Sequence, residues 1–118
     1  MPSMINYKKW EIVLVPFPFT DLSSVKRRPA LIVSPDIYNA GKDLVIAYIT
    51  SQLNSPSRLG DYKLQKWKEA GLLKSSMVKM KFATIDKTII AKTIGELEDL
   101  TAKKSKKFYS HFSNPNFR

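Results

Sequence analysis

A mainly β fold, a small curled antiparallel barrel with one α-helix at its C-terminal end, is what this sequence predicts. Short apolar or alternating runs recur along the chain, separated by Pro, Gly, Asn and Asp. Only the last segment, Glu98–Phe112, carries helical spacing. At 118 residues and 43% hydrophobic, the chain suffices for a single domain with its own core. Several short strands followed by one terminal helix fit a barrel with a helix packed on it.

Ile12–Phe17 is a continuous apolar run with β-branched residues, which suits a strand covered on both faces. Pro16 and Pro18 have no N–H to give a ladder, so they place the end of this strand at an edge or beside a loop. Thr20–Val25 is polar and reads as a loop, and Pro29–Ser34 as the second strand. Pro35-Asp36 and Asn39-Ala40-Gly41-Lys42-Asp43 are turn chemistry, leading to a third strand at Leu44–Thr50. Ser51–Asp61 is a long loop of the kind that often carries function. Leu64–Ala70 reads as a short helical turn ended by Gly71.

Met77–Phe82 alternates, with Val78, Met80 and Phe82 on one face and Lys79 and Lys81 on the other, which predicts a half-buried strand with a basic outer face. Thr88–Ile94 reads as a further short strand ended by Gly95. In the terminal helix Leu97, Leu100, Lys104, Phe108 and Phe112 fall three or four apart. Its acidic residues come early and its lysines late, as the helix dipole favours.

The charge balance narrows the function classes. Twenty basic residues against ten acidic give a net charge of +10, which points to nucleic acid, with an acidic protein or a membrane surface as other partners of the same sign. No cysteine is present, which excludes disulfides, thiolate metal sites and a cysteine nucleophile. The single histidine, His111, and scattered carboxylates give no metal-binding pattern, so no metal or cofactor is expected. The N-terminal residues show no signal-peptide core, and the longest apolar runs, Ile12–Phe19 and Leu44–Ile49, are too short to cross a membrane. A soluble cytoplasmic protein is expected.

The chemistry centres on Arg28. Lys26-Arg27-Arg28 leads into Pro29 and an apolar strand, which would hold a guanidinium firmly on the surface, as phosphate binding requires. Arg28 precedes its strand and Thr50-Ser51 ends the next, so an antiparallel pairing would bring guanidinium and hydroxyls to one edge. An arginine can stabilise a pentacovalent phosphorane, and a hydroxyl can position or relay a proton. A surface arginine and a strand-end cap fit the same residues. Lys26, Arg27, Lys79 and Lys81 would extend a cationic surface for RNA, or form an ordinary solvated face. Phe17 and Phe19 abut the polar loop, where they could stack on bases, pack in the core or line a dimer interface.

The segments Glu11–Asp21, Arg28–Ser34 and Ile49-Thr50-Ser51-Gln52 resemble the PemK/MazF family of toxin endoribonucleases. Gly71-Leu72, Ser76–Phe82, Thr84–Lys87 and Ile94–Leu97 continue the resemblance almost to the end of the chain. It implies an SH3-like barrel working as a homodimer. It implies metal-independent cleavage of single-stranded mRNA, with a 2′,3′-cyclic phosphate and a 5′-hydroxyl as the new ends, and an acidic antitoxin as partner. The family's catalytic arginine falls on Arg28 and its strand-end threonine on Thr50, with Ser51 and Gln52 in the same motif. Many members carry a glutamate about five residues before that arginine; this chain has Ser23-Ser24-Val25 there, which removes a candidate general base. That departure keeps a second reading open, a non-catalytic barrel that binds nucleic acid or a protein target such as gyrase.

Overall fold

The chain forms strands β1 (Glu11–Phe17), β2 (Lys26–Ile32), β3 (Asp43–Thr50), β4 (Tyr62–Lys63), β5 (Met77–Asp86) and β6 (Lys92–Glu96), with a short helix α1 (Asp36–Asn39). These elements come from a computed structural model that describes residues 6–17, 26–53 and 59–97. They make one antiparallel sheet in the order β4-β5-β3-β2-β1-β6. The expected terminal helix, Glu98–Phe112, lies outside the described residues.

Strand alternation places two cores on opposite faces of the sheet. Ile12, Leu31, Ala47 and Ile49 build one, completed by Leu64, Leu72, Val78 and Leu97. Val13, Val15, Ala30, Ile32 and Ile46 build the other, with Tyr7, Leu44 and Ile85. The register explains the sorting: Ile12 faces Leu31, and the next pair, Val13 and Ala30, points the other way. Ile12 and Val13 are both fully buried, as a strand covered on two faces requires. Each such side chain contributes roughly 1.5–3 kcal/mol of burial before chain entropy is set against it. The β1–β6 ladder ends at Leu14, so Pro16 lies where β1 is flanked by β2 alone and its missing N–H costs no ladder bond.

The sheet curls until its two margins meet. The turn after β4, with hydrogen bonds from Ala70 N to Lys66 O and Gly71 N to Lys68 O, packs against β6. A Cβ on Gly95 would stand 2.0 Å from the Ala70 carbonyl oxygen, and one on Gly71 would stand 2.3 Å from the Ile94 oxygen. Gly71 also sits at φ +92°, where side chains are disfavoured. Trp10 takes a positive φ of 77° as well, which is costly for a bulky residue. Two bonds hold it there: its N–H donates to Ile32 O at 2.7 Å, and its carbonyl accepts from Leu97 N at 2.8 Å.

Several elements differ from the sequence expectation. β2 runs from Lys26 to Ile32, not Pro29 to Ser34. Ser34 instead leaves the ladder to accept from Val45 N at 2.9 Å and to bond the Asn39 side chain, whose amide donates to the carbonyls of Ser34 and Tyr7. The turn after it contains α1. The last strand begins at Lys92, because Asp86 accepts from the N–H and hydroxyl of Thr88 at 2.9 and 2.8 Å and caps a 3-10 turn over Lys87–Ile89. Gly95 then falls inside that strand, opposite Ile12.

The alternation at Met77–Phe82 breaks. Ala47 faces Phe82 and Ile49 faces Val78, so β5 spends two extra residues there as a bulge. Asp61 fills it, accepting from Met80 N at 3.1 Å and Lys79 Nζ at 2.6 Å. Lys79 is therefore not on a basic outer face: its side chain is only 14% exposed, against a carboxylate 2% exposed. Phe82, expected inside, is about half exposed at 48%.

Candidate active site

β2 passes from solvent into the core along its own length. Lys26, Arg27 and Arg28 are exposed, Pro29 is half-buried, and Ala30, Leu31 and Ile32 are buried. The buried end anchors the strand, and Pro29 restricts both its own φ and the backbone of Arg28 to extended geometry. Arg28 faces Val15 of β1, so its Cα is fixed by the ladder while its guanidinium reaches outward.

Thr50 closes β3 on the same side. The β2–β3 register runs over Ala30–Tyr48, Leu31–Ala47 and Ile32–Ile46. Arg28 and Thr50 each lie two residues beyond the Ala30–Tyr48 pair, at the same end of the two strands. Gln52 N donates to Thr50 Oγ1 at 3.1 Å. The threonine oxygen is thus occupied as an acceptor by its own turn, which leaves its O–H proton to donate to a ligand.

These groups open onto one cleft of about 720 Å³. Arg27, Arg28, Thr50 and Ser51 line it, together with Lys74, Ser76, Lys92 and Thr93. Ile49, Leu72 and Ile94, which belong to or pack on the first core, supply an apolar floor together with Leu14. Four cations and four hydroxyls therefore share the lining with an apolar base, and among the described residues no carboxylate or imidazole belongs to it. The ion pairs Lys42–Asp86 and Lys79–Asp61 lie elsewhere. Such a cleft attracts an anion, holds it by charge-assisted hydrogen bonds and offers a dry surface to a flat or aliphatic group.

The cleft takes in only part of the residues expected from sequence. Lys26 is exposed opposite Phe17, outside the lining. Gln52 is exposed and acts through its backbone bond to Thr50. Lys81 is exposed on the bulged stretch of β5, and Lys79 is held by Asp61, so neither reaches the cleft. Phe19 and His111 lie outside the described residues.

Lys74, Ser76, Lys92 and Thr93 were not anticipated. Lys92 arrives because β6 pairs with β1 rather than with its sequence neighbour β5, and no local spacing announces that. Lys74 is placed by Ser76, which is 3% exposed and donates its hydroxyl to Lys74 O at 2.8 Å. Among the described residues no three His, Cys, Asp or Glu side chains come together as a metal would need. No helix among them is long and apolar enough to cross a membrane.

No curated protein matches the sequence. Solved structures do match the fold. An endoribonuclease from a mycobacterial species superposes with TM-score 0.65 at 18% identity, over 97% of this chain and 98% of that one. A mycobacterial endoribonuclease in complex with its cognate antitoxin gives 0.64 at 16%, over 93% and 96%. MazF from Deinococcus radiodurans gives 0.60 at 23%, over 92% and 98%. The family model described as PemK-like, MazF-like toxin of type II toxin–antitoxin system matches residues 8–107, a span that includes every strand and every lining residue of the cleft. The chain belongs to the PemK/MazF family of type II toxin–antitoxin toxins.

Proposed function

We propose that this chain is the toxin of a type II pair and a cytoplasmic endoribonuclease for single-stranded mRNA, acting as a homodimer and neutralised by an acidic antitoxin. The observation that carries the reading is the meeting of Arg28 with Thr50 and Ser51 in one cationic cleft. The RNA's own 2′-oxygen attacks the adjacent phosphorus. The P–O5′ bond breaks, leaving a 2′,3′-cyclic phosphate and a 5′-hydroxyl; the proton lost from the 2′-oxygen is balanced by the one gained at O5′. Arg28 donates two parallel N–H bonds to the non-bridging oxygens as negative charge builds on them. Thr50, its oxygen already engaged by Gln52 N–H, donates its proton to the phosphate and orients it, with Ser51 beside it. No metal ion has a step in this scheme, because nucleophile and leaving group both belong to the RNA. The net +10 charge favours both RNA and an acidic antitoxin.

The test is purified protein with single-stranded RNA in EDTA, with end-group analysis of the products. Chelator-resistant cleavage should fall by about 10²–10³-fold in Arg28→Ala, the usual loss for one electrostatic donor to a transition state. Equal cleavage by Arg28→Ala would remove the arginine from the mechanism.

The lack of a carboxylate or imidazole in the described lining favours one second reading, a barrel that binds without cutting. Arginine cannot serve as a base. Intact RNA held in a tight complex, or a stable complex with DNA gyrase and no RNA cleavage, would decide for it.

A further inference from the structure

Arg27 and Arg28 of β2 line the cleft, and so do Lys74 and Lys92. β2 and β6 flank β1 on either side, with Arg28 facing Val15 and Lys92 facing Leu14. Arg27, paired with Pro16, and Lys92, paired with Leu14, share one face of the sheet, whereas Arg28, paired with Val15, lies on the other, so the two arginines reach the cleft from opposite faces of β2. Both lysines stand on fixed main chain. Ala91 N donates to Leu14 O at 2.8 Å beside Lys92, and Ser76 Oγ holds Lys74 O.

A phosphodiester carries one negative charge. Four cations gathered on a single phosphate would repel one another more than the last of them gained, whereas cations spaced along a strand each meet their own counter-charge. The volume, about 720 Å³, lies high in the range of about 300–1,000 Å³ typical of ligand pockets, so it holds more than one phosphate group.

We propose that Lys74 and Lys92 take the phosphodiester next to the scissile one, so that the cleft grips two consecutive phosphates. The shortest strand that binds fully then has three nucleotides. This rests on the ribonuclease reading of the same cleft, and it assigns the lysines as positioning residues.

The experiment measures binding, independently of cleavage. Fluorescently labelled 2′-O-methyl RNA, which has no free 2′-hydroxyl to attack, is titrated as a dinucleotide with one phosphodiester and as a trinucleotide with two. Anisotropy is read over a range of salt. The trinucleotide should bind more tightly, with a slope of log K against log salt steeper by about 0.7, the single-strand value for one more neutralised phosphate. Lys92→Gln and Lys74→Gln should weaken the trinucleotide much more than the dinucleotide and lose the extra slope, while Lys92→Arg keeps it. Equal weakening of both oligonucleotides, no effect on either, or no binding of either by the parent protein would overturn the proposal. Cleavage of long RNA is measured beside it. Cutting without the lysine effect sinks the two-phosphate grip alone, and the lysine effect without cutting sinks the nuclease reading alone.

Discussion

At the scale of single residues, Trp10 carries a backbone cost that its side chain offsets. Its φ of 77° suits glycine, yet its ring packs on the first core with Lys9 Nζ 4.6 Å above it. Ala and Gly substitutions both remove the ring, but only Gly relieves the dihedral. Trp10→Gly should therefore unfold at higher urea than Trp10→Ala, by about 1 kcal/mol in stability, with both below the parent. Equal midpoints would mean that the conformation stores no strain. Nothing in the sequence shows this, because a residue type does not reveal its φ. The nearness of Arg28 to Thr50 and Ser51 was legible, because they sit at adjoining ends of consecutive strands. Lys79 was misread, because the carboxylate that claims it belongs to a loop outside its own strand.

At the scale of elements, the first three strands follow from their apolar runs, while β4, α1 and the bulge of β5 depend on partners elsewhere in the chain. β6 is the sharpest case. Its pairing with β1 brings Lys92 and Thr93 to the cleft, and its Gly95 meets the turn after β4. A methyl group at Gly95 would press on the Ala70 carbonyl, which is main chain and cannot rotate away. Gly95→Ala should cost more than about 1 kcal/mol, lowering the melting temperature of a domain this size by more than about 4 °C. An unchanged melt would show that the two margins do not touch.

For the whole molecule, net charge and pH act together. Asp86 is held below the usual carboxylate range, first by the Thr88 N–H and then by its hydroxyl, with Lys42 and Lys87 adding attraction. An unfolded aspartate titrates near pH ~3.9. Between that value and the lower native one, the unfolded chain binds the proton that the native chain refuses, so stability falls as the solution is acidified. Asp86→Asn should flatten this part of the acid limb of a melting-temperature profile; an unchanged limb would assign the loss to other carboxylates. Tyr7 acts at the other end. Burial, then the charge of Glu11, raises its pKa, so stability declines as pH climbs past about 10, where the unfolded tyrosine ionises first.

The meeting of Gly71 with Gly95 has a consequence for how such a protein can change. Main chain touches main chain there, so the side chains on either flank, Leu73 and Lys74 on one and Lys92 and Thr93 on the other, are exposed and do not hold the joint together. The close approach of the two segments rests on two residues without side chains, beside the core residue Leu72 and the half-buried Ile94, while the exposed Lys74, Lys92 and Thr93 line the cleft. The lining of the cleft can then change one exposed position at a time while the scaffold is inherited intact.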